Sequence, residues 1–242
     1  MLVARVRTTM PGDGLLSAAM KRILLAFLLS SAVAGAYARD DQLWLNFGVN
    51  ASPWDNGVML HFDEDVEMNY SQLTDEETYM SAGYMLCDYV SAHAGHRIVR
   101  ERGAAGRLVT EHRPTLELCL YAPEFWTLKF SHRSRFEYRD KSHIRPNMRY
   151  RERFKLATSW SVTDYAISPY TSIELFFSDK AGVSSSDAFD CTRSQAGFTF
   201  VPWPDEPRLK CALFFMAFHY VSNGARDWRP LNVYGFDIWY DF

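Results

Sequence analysis

The chain has 242 residues, with 26 Lys and Arg against 29 Asp and Glu, a net charge of −3 and 15% aromatic residues. So balanced a charge gives no reason to expect nucleic acid as a partner, and neither a phosphate-cradling glycine loop nor zinc-ligand spacing occurs. The four cysteines, Cys87, Cys119, Cys191 and Cys211, lie far apart without a C-x-x-C pair and read as free thiols, so no metal or cofactor is implied.

The first element reads as an export signal. Lys21 and Arg22 precede the apolar run Ile23 to Val33, and small residues ending in Ala36-Tyr37-Ala38 supply a cleavage site. The run is too short to cross a bilayer as a helix, and the charged Arg39, Asp40 and Asp41 follow at once. Residues 1–38 are therefore expected to be a signal peptide cleaved after Ala38, with those before Met20 an upstream extension. Residues 39–242 form the mature domain.

Extended segments then follow one another at 42–51, 57–67, 77–87, 90–100, 107–120, 126–139, 147–160, 166–178, 191–201, 209–221 and 231–242, and nothing reads as a long helix. Short connections at 52–56, near 88, at 122–125, near 164 and at 202–207 alternate with longer polar ones at 69–76, 101–106, 140–146, 178–190 and 222–230. Outer-membrane barrels have short periplasmic turns and longer external loops. The expected fold is all-β, an antiparallel transmembrane β-barrel of 10 to 12 strands. Eleven segments create a conflict, because 42–51 would run the same way as 231–242. Since bacterial barrels favour even counts, either the first segment lies outside the wall or one strand is unrecognised.

The period of two assigns faces. In 126–139 the even positions include Trp126, Leu128, Phe130, Phe136 and Tyr138, and the odd ones are polar or charged, so the odd face is the lumen. The lumen basic cluster comprises Lys129, Arg133, Arg135, Arg139, Arg149, Arg151, Arg153 and Lys155. Facing it are Asp63, Asp65, Glu67, Glu111, Glu117 and Glu174. Glu152 falls on the apolar face and calls for a β-bulge or a position above the membrane. Two roles remain: an anion-preferring narrow pore, or an ion-pair network filling the lumen, the usual state of small barrels.

On the last strand Asn232, Tyr234, Phe236, Ile238, Tyr240 and Phe242 share one face. A terminal aromatic after alternating hydrophobes resembles the signal read by the barrel-insertion machinery, so Tyr240 and Phe242 are its candidate residues. The expected surroundings are outer-membrane lipid, and the expected state is a monomer. Trp126, Trp160, Phe200, Tyr240 and Phe242 would form a periplasmic aromatic girdle.

Two other classes compete. His219, Ser222 and Asn223 resemble the His-x-Ser-Asn arrangement of outer-membrane lipid A deacylases. Here the spacing is His-x-x-Ser, which sends the two side chains to opposite faces, and Asn232 stands where a glutamate would orient the histidine. A soluble periplasmic β-sandwich would instead bury the apolar faces against each other.

Laid in order, Trp44 with Gly48, Arg133-Ser-Arg135-Phe-Glu-Tyr-Arg139, Arg149-Tyr-Arg151-Glu-Arg153, Pro169-Tyr170-Thr-Ser-Ile-Glu174-Leu-Phe176-Phe177, Arg193 with Gly197, and Asn232 to Phe242 form a pattern. It resembles the bacterial family known as domain of unknown function 2490. The resemblance implies an outer-membrane barrel and supplies no catalytic residues.

If the export reading holds, intact-mass measurement of the protein recovered from a Gram-negative expression host begins at Arg39. Retention of the first 38 residues would refute it.

Overall fold

A computed structural model describes residues 42–52, 57–69, 72–102, 108–142, 145–158, 160–162, 165–179, 189–221 and 228–242. Its strands in chain order are β1 (Gln42–Ala51), β2 (Val58–Asn69), β3 (Gln72–Cys87), β4 (Val90–Arg102), β5 (Leu108–Tyr121), β6 (Leu128–Lys141), β7 (Asn147–Thr158), β8 (Trp160–Val162), β9 (Tyr165–Ser178), β10 (Phe189–Phe200), β11 (Leu209–Val221) and β12 (Trp228–Asp241). Each wall strand pairs with its chain neighbours, and β1 pairs with β12 to close the sheet. The three-residue β8 pairs only with the start of β9 and prolongs β7 at the turn end, so eleven strands make the wall.

The strand count falls within the expected range, but the expectation of an even number does not hold. Segment 42–51 is a wall strand, and it lies parallel to β12, Gln42 opposite Val233 through Asn50 opposite Asp241. The reason is geometric: in an up-and-down barrel an odd count leaves the first and last strands running the same way. Parallel pairing uses the same backbone donors and acceptors as antiparallel pairing, with slanted bonds. The C-terminus is tied into this seam. The Phe242 N–H donates to Asn50 O at 2.7 Å, and the Asp241 N–H to Arg208 O at 3.0 Å. The Asp241 carboxylate accepts from Lys210 Nζ at 2.6 Å and Asn50 Nδ2 at 2.8 Å.

One expected loop proves to be strand. Residues 72–76 begin β3 and pair with the end of β2, with a register shift between Glu67 and Met68. Its polar residues read as a loop because a strand in a soluble protein rarely buries an acid such as Asp75. A polar lumen removes that objection.

The outer face is apolar. Phe47, Leu60, Phe62, Met80, Tyr84, Leu116, Leu118, Leu128, Phe130, Phe136, Leu156, Ile173 and Phe215 all have exposed side chains. The inner face buries Glu111, Glu137, Glu174, Arg135 and Arg151. This is a sheet inverted relative to a water-soluble protein, the construction of a membrane barrel. It excludes the sandwich, in which the apolar faces would be covered. A smaller apolar cluster lines the lumen where β11, β12 and β1 meet: Met216, Phe218 and Val233, with Trp44, Phe214 and Leu231 packed against them. Phe214 lies flat on the wall because Gly197 and Gly235 flank it; a Cβ at Gly235 would stand 1.8 Å from its ring.

Glu152 needs no bulge, since its pairing with Ser134 and Leu175 is regular. It faces outward, and neighbours on β6 satisfy it. His132 Nε2 contacts one carboxylate oxygen, Ser134 Oγ donates to both at 3.0 and 3.1 Å, and the His132 ring stacks on Phe154 at 4.7 Å. A carboxylate with such partners is far less costly at an apolar surface than a bare one.

The parallel seam is directly testable by crosslinking. With the native cysteines replaced by alanine, Phe47→Cys combined with Ile238→Cys, which sit opposite each other, is expected to crosslink upon oxidation. Phe47→Cys with Tyr234→Cys, four residues out of register, is not.

Candidate functional site: the charged lumen

The lumen site is assembled from inward positions of β2 to β7, β9 and β10. Glu117, Arg133, Glu174, Arg151, Glu137 and Arg135 form a closed ring of alternating charge. Arg133 reaches Glu117 at 3.7 Å and Glu174 at 2.9 Å, Arg151 reaches Glu174 at 2.9 Å and Glu137 at 2.8 Å, and Arg135 reaches Glu137 at 3.6 Å and Glu117 at 2.8 Å. Arg149 joins at Glu137, 2.5 Å away, and Arg193 of β10 joins at Glu174.

A second chain of pairs runs Asp65, Arg97, Glu77, Arg113, Glu111, Arg139. Arg113 lies 3.2 Å from Glu77 and 2.7 Å from Glu111, Arg139 lies 2.5 Å from Glu111, Arg97 contacts Glu77, and Arg97 is 3.7 Å from Asp65. Tyr79 joins the two systems. Its ring lies between the guanidinium groups of Arg97 at 4.9 Å and Arg135 at 5.1 Å, and its hydroxyl donates to Glu117. A buried carboxylate is costly alone and tolerable when guanidinium donors occupy its lone pairs.

Of the expected basic cluster, Arg133, Arg135, Arg139, Arg149 and Arg151 meet in this network. Arg153 lines the lumen cavity without entering an ion pair among the described residues. Lys155 places its ammonium 4.3 Å from the centre of the Tyr170 ring. Lys129 does not belong, being half exposed at the turn end beside Glu124 at 3.6 Å. Of the expected acids, Glu111, Glu117 and Glu174 anchor the network. Asp63 is held by His61 at 2.6 Å, Asp65 accepts from Asn46, and Glu67 is buried opposite Asp75. Sequence reasoning gave too little weight to Arg97, Glu77 and Arg193. Arg97 follows from strict parity on β4, whereas Glu77 was obscured by the supposed loop before it.

The candidate hydrolase residues are not brought together. His219 faces outward near the loop end of β11, opposite Thr192 and Pro230, and Ser222 and Asn223 lie outside the described residues. The four cysteines are free. Of the girdle, Trp126 lies in the turn before β6 at φ 58° and is 86% exposed, stacked on Phe125 at 5.3 Å. Tyr240 packs on Phe242 at 4.6 Å and Phe200 on Phe198 at 6.0 Å, while the Trp160 side chain lies outside the described residues. In the turn before β11, Arg208 Nε donates to Glu206 Oε1 at 2.8 Å and holds that exposed carboxyl below its ordinary range.

Beside the network runs a cavity of about 690 Å³. Every inward residue of β2 from Met59 to Glu67 lines it, a path of roughly 27 Å at strand rise. At the turn end it reaches Ser52 and Tyr121, and towards the loop end it reaches Asp75 and Arg149.

A family model described as protein of unknown function (DUF2490) matches residues 41–223. The chain belongs to this family. The matched span takes in every network residue, and the family carries no assigned activity in its description. No curated protein matches the chain. Among solved structures, the NanC porin in a rhombohedral crystal form is similar at 15% identity and a TM-score of 0.46, covering 76% of this chain and 86% of that one.

Glu174 holds three guanidinium groups, so Glu174→Ala is expected to cost about 3–5 kcal/mol in urea unfolding of the detergent-folded barrel. Lys129→Ala, whose pair is exposed, is expected to change stability by less than about 0.5 kcal/mol.

Proposed function

We propose that this chain is a bacterial outer-membrane β-barrel, exported by a signal removed after Ala38, whose lumen is a narrow conduit for small polar solutes. The observation that carries this reading is the cavity following β2 along nearly its whole length. The ion-pair ring fills the β5–β9 side of the lumen and leaves the side of β1, β2 and β12 to solvent. The barrel is far smaller than the roughly sixteen-stranded porins with broad aqueous channels, so passage is limited to water, ions and small molecules. Outer-membrane lipid surrounds the apolar face, and Tyr240 and Phe242 at the seam are the residues offered to the insertion machinery.

The arginines do not make the conduit strongly anion-preferring, because carboxylates of the network offset most of them. The opposite bank carries Asp63, Asp65, Asp237 and Glu67. A weak preference between potassium and chloride is expected.

Membrane fractionation and planar-bilayer recording test this. Recovery in the outer-membrane fraction, heat-modifiable gel mobility and small KCl conductance steps with a reversal potential near zero are expected. A soluble periplasmic product, or a folded barrel without conductance, would overturn it.

A further inference from the structure

The two banks of this cavity carry opposite charges that do not touch. Asp63 and Asp65 of β2 and Asp237 of β12 line one side, and Arg153 of β7 and Arg193 of β10 line the other. Asp63 is held by His61 and Asp65 by Asn46, with Arg97 3.7 Å from Asp65. Asp237 has no hydrogen bond and no ion pair within 4 Å among the described residues, and the same is true of Arg153. Asp237 nevertheless lies within electrostatic reach of Lys155 and Arg193 as well as of Asp63 and Asp65. On the arginine side, Nε of Arg133 and both Nε and Nη1 of the buried Arg135 also lack hydrogen-bond partners.

Buried donors and buried charges are ordinarily paired, and most charges of this lumen are. Two opposite charges without an ion pair among the described residues, facing one cavity of about 690 Å³, point to a guest that satisfies both. A lone cation or anion would serve one bank and be repelled by the other, and a neutral sugar would answer neither charge. Between the banks, Trp44, Phe214 and Phe218 supply an apolar surface that also lines the cavity.

We infer that the conduit selects small zwitterions of the amino-acid class, the solute's carboxylate turning to Arg153, its ammonium to Asp237, and its carbon skeleton to the aromatic wall. This rests on the conduit reading above. The transverse field between the banks aligns such a dipole, and charge-assisted hydrogen bonds at each end replace its lost hydration.

The test uses the mature barrel in proteoliposomes and planar bilayers, with proline against the similarly sized neutral erythritol. Swelling in proline is expected to be at least about fivefold faster than in erythritol. Arg153→Gln and Asp237→Asn are each expected to bring the two rates together. They also shift the KCl reversal potential in opposite directions, the first towards cations and the second towards anions. The double variant keeps the lumen's total charge, guards against misfolding from charge imbalance, and is expected to lose the proline preference as well. Lys129→Gln, outside the cavity, is expected to change nothing. Equal proline and erythritol rates in a conducting wild-type barrel would overturn the zwitterion inference alone. Reversal-potential shifts of the same sign in both single variants would likewise overturn it. Absence of KCl conductance would overturn the conduit reading itself.

Discussion

The interior of this barrel depends on the pairing of arginine with glutamate inside a wall whose outer face is apolar. Once the apolar side chains face outward, every inward position must carry something compatible with a narrow, poorly hydrated space. The chain fills most of that space with guanidinium and carboxylate groups. Each is costly to bury alone, and together they form a closed ring in which Glu117, Glu137 and Glu174 alternate with Arg133, Arg135 and Arg151. Four strands, β5, β6, β7 and β9, are fastened to one another by this ring, in addition to their backbone ladders. Tyr79 extends the fastening to a second chain of pairs by lying between two guanidinium planes.

The wall itself closes through an unusual contact. An odd number of strands forces β1 and β12 to run in parallel, and the last residues are bonded on both sides, to β1 through Asn50 and to the turn before β11 through Arg208. The terminal strand is thus both the end of the chain and the closing element of the barrel. Its alternation has two tasks: Tyr234 and Tyr240 face outward, while Asp237 and Asp241 face the lumen, where Asp241 meets Lys210 and Asn50. A shift of one residue in this strand would exchange the two sets, which is why its register is well specified.

The same pairing explains why the lumen is two-sided. The network draws glutamates towards the arginine-rich strands, leaving Asp237 of β12 without an ion pair among the described residues. The cavity lies along that division. The ring thus forms one wall of that cavity, and the acids of β2 and β12 face it from the other.

Much of this could be read directly from the amino-acid sequence. Alternation along 126–139 and 147–160 marked which residues face inward, because a strand has only two faces and, Glu152 apart, the arginines and lysines fall on the one opposite the aromatics. Segment boundaries followed from where that alternation stopped. What the sequence alone could not decide was which inward charges meet. Arg153 and Arg151 stand two residues apart on one face of one strand, yet Arg151 forms two ion pairs and Arg153 none within 4 Å among the described residues, because partners come from strands distant in the chain. Glu152 looked misplaced until β6 brought His132 and Ser134 beside it. The parity of the barrel likewise waited on tertiary structure, since no local pattern tells a strand whether its last neighbour will run parallel or antiparallel. Local periodicity determined the faces of the wall, and closure determined its seam, its ion pairs and the cavity they leave.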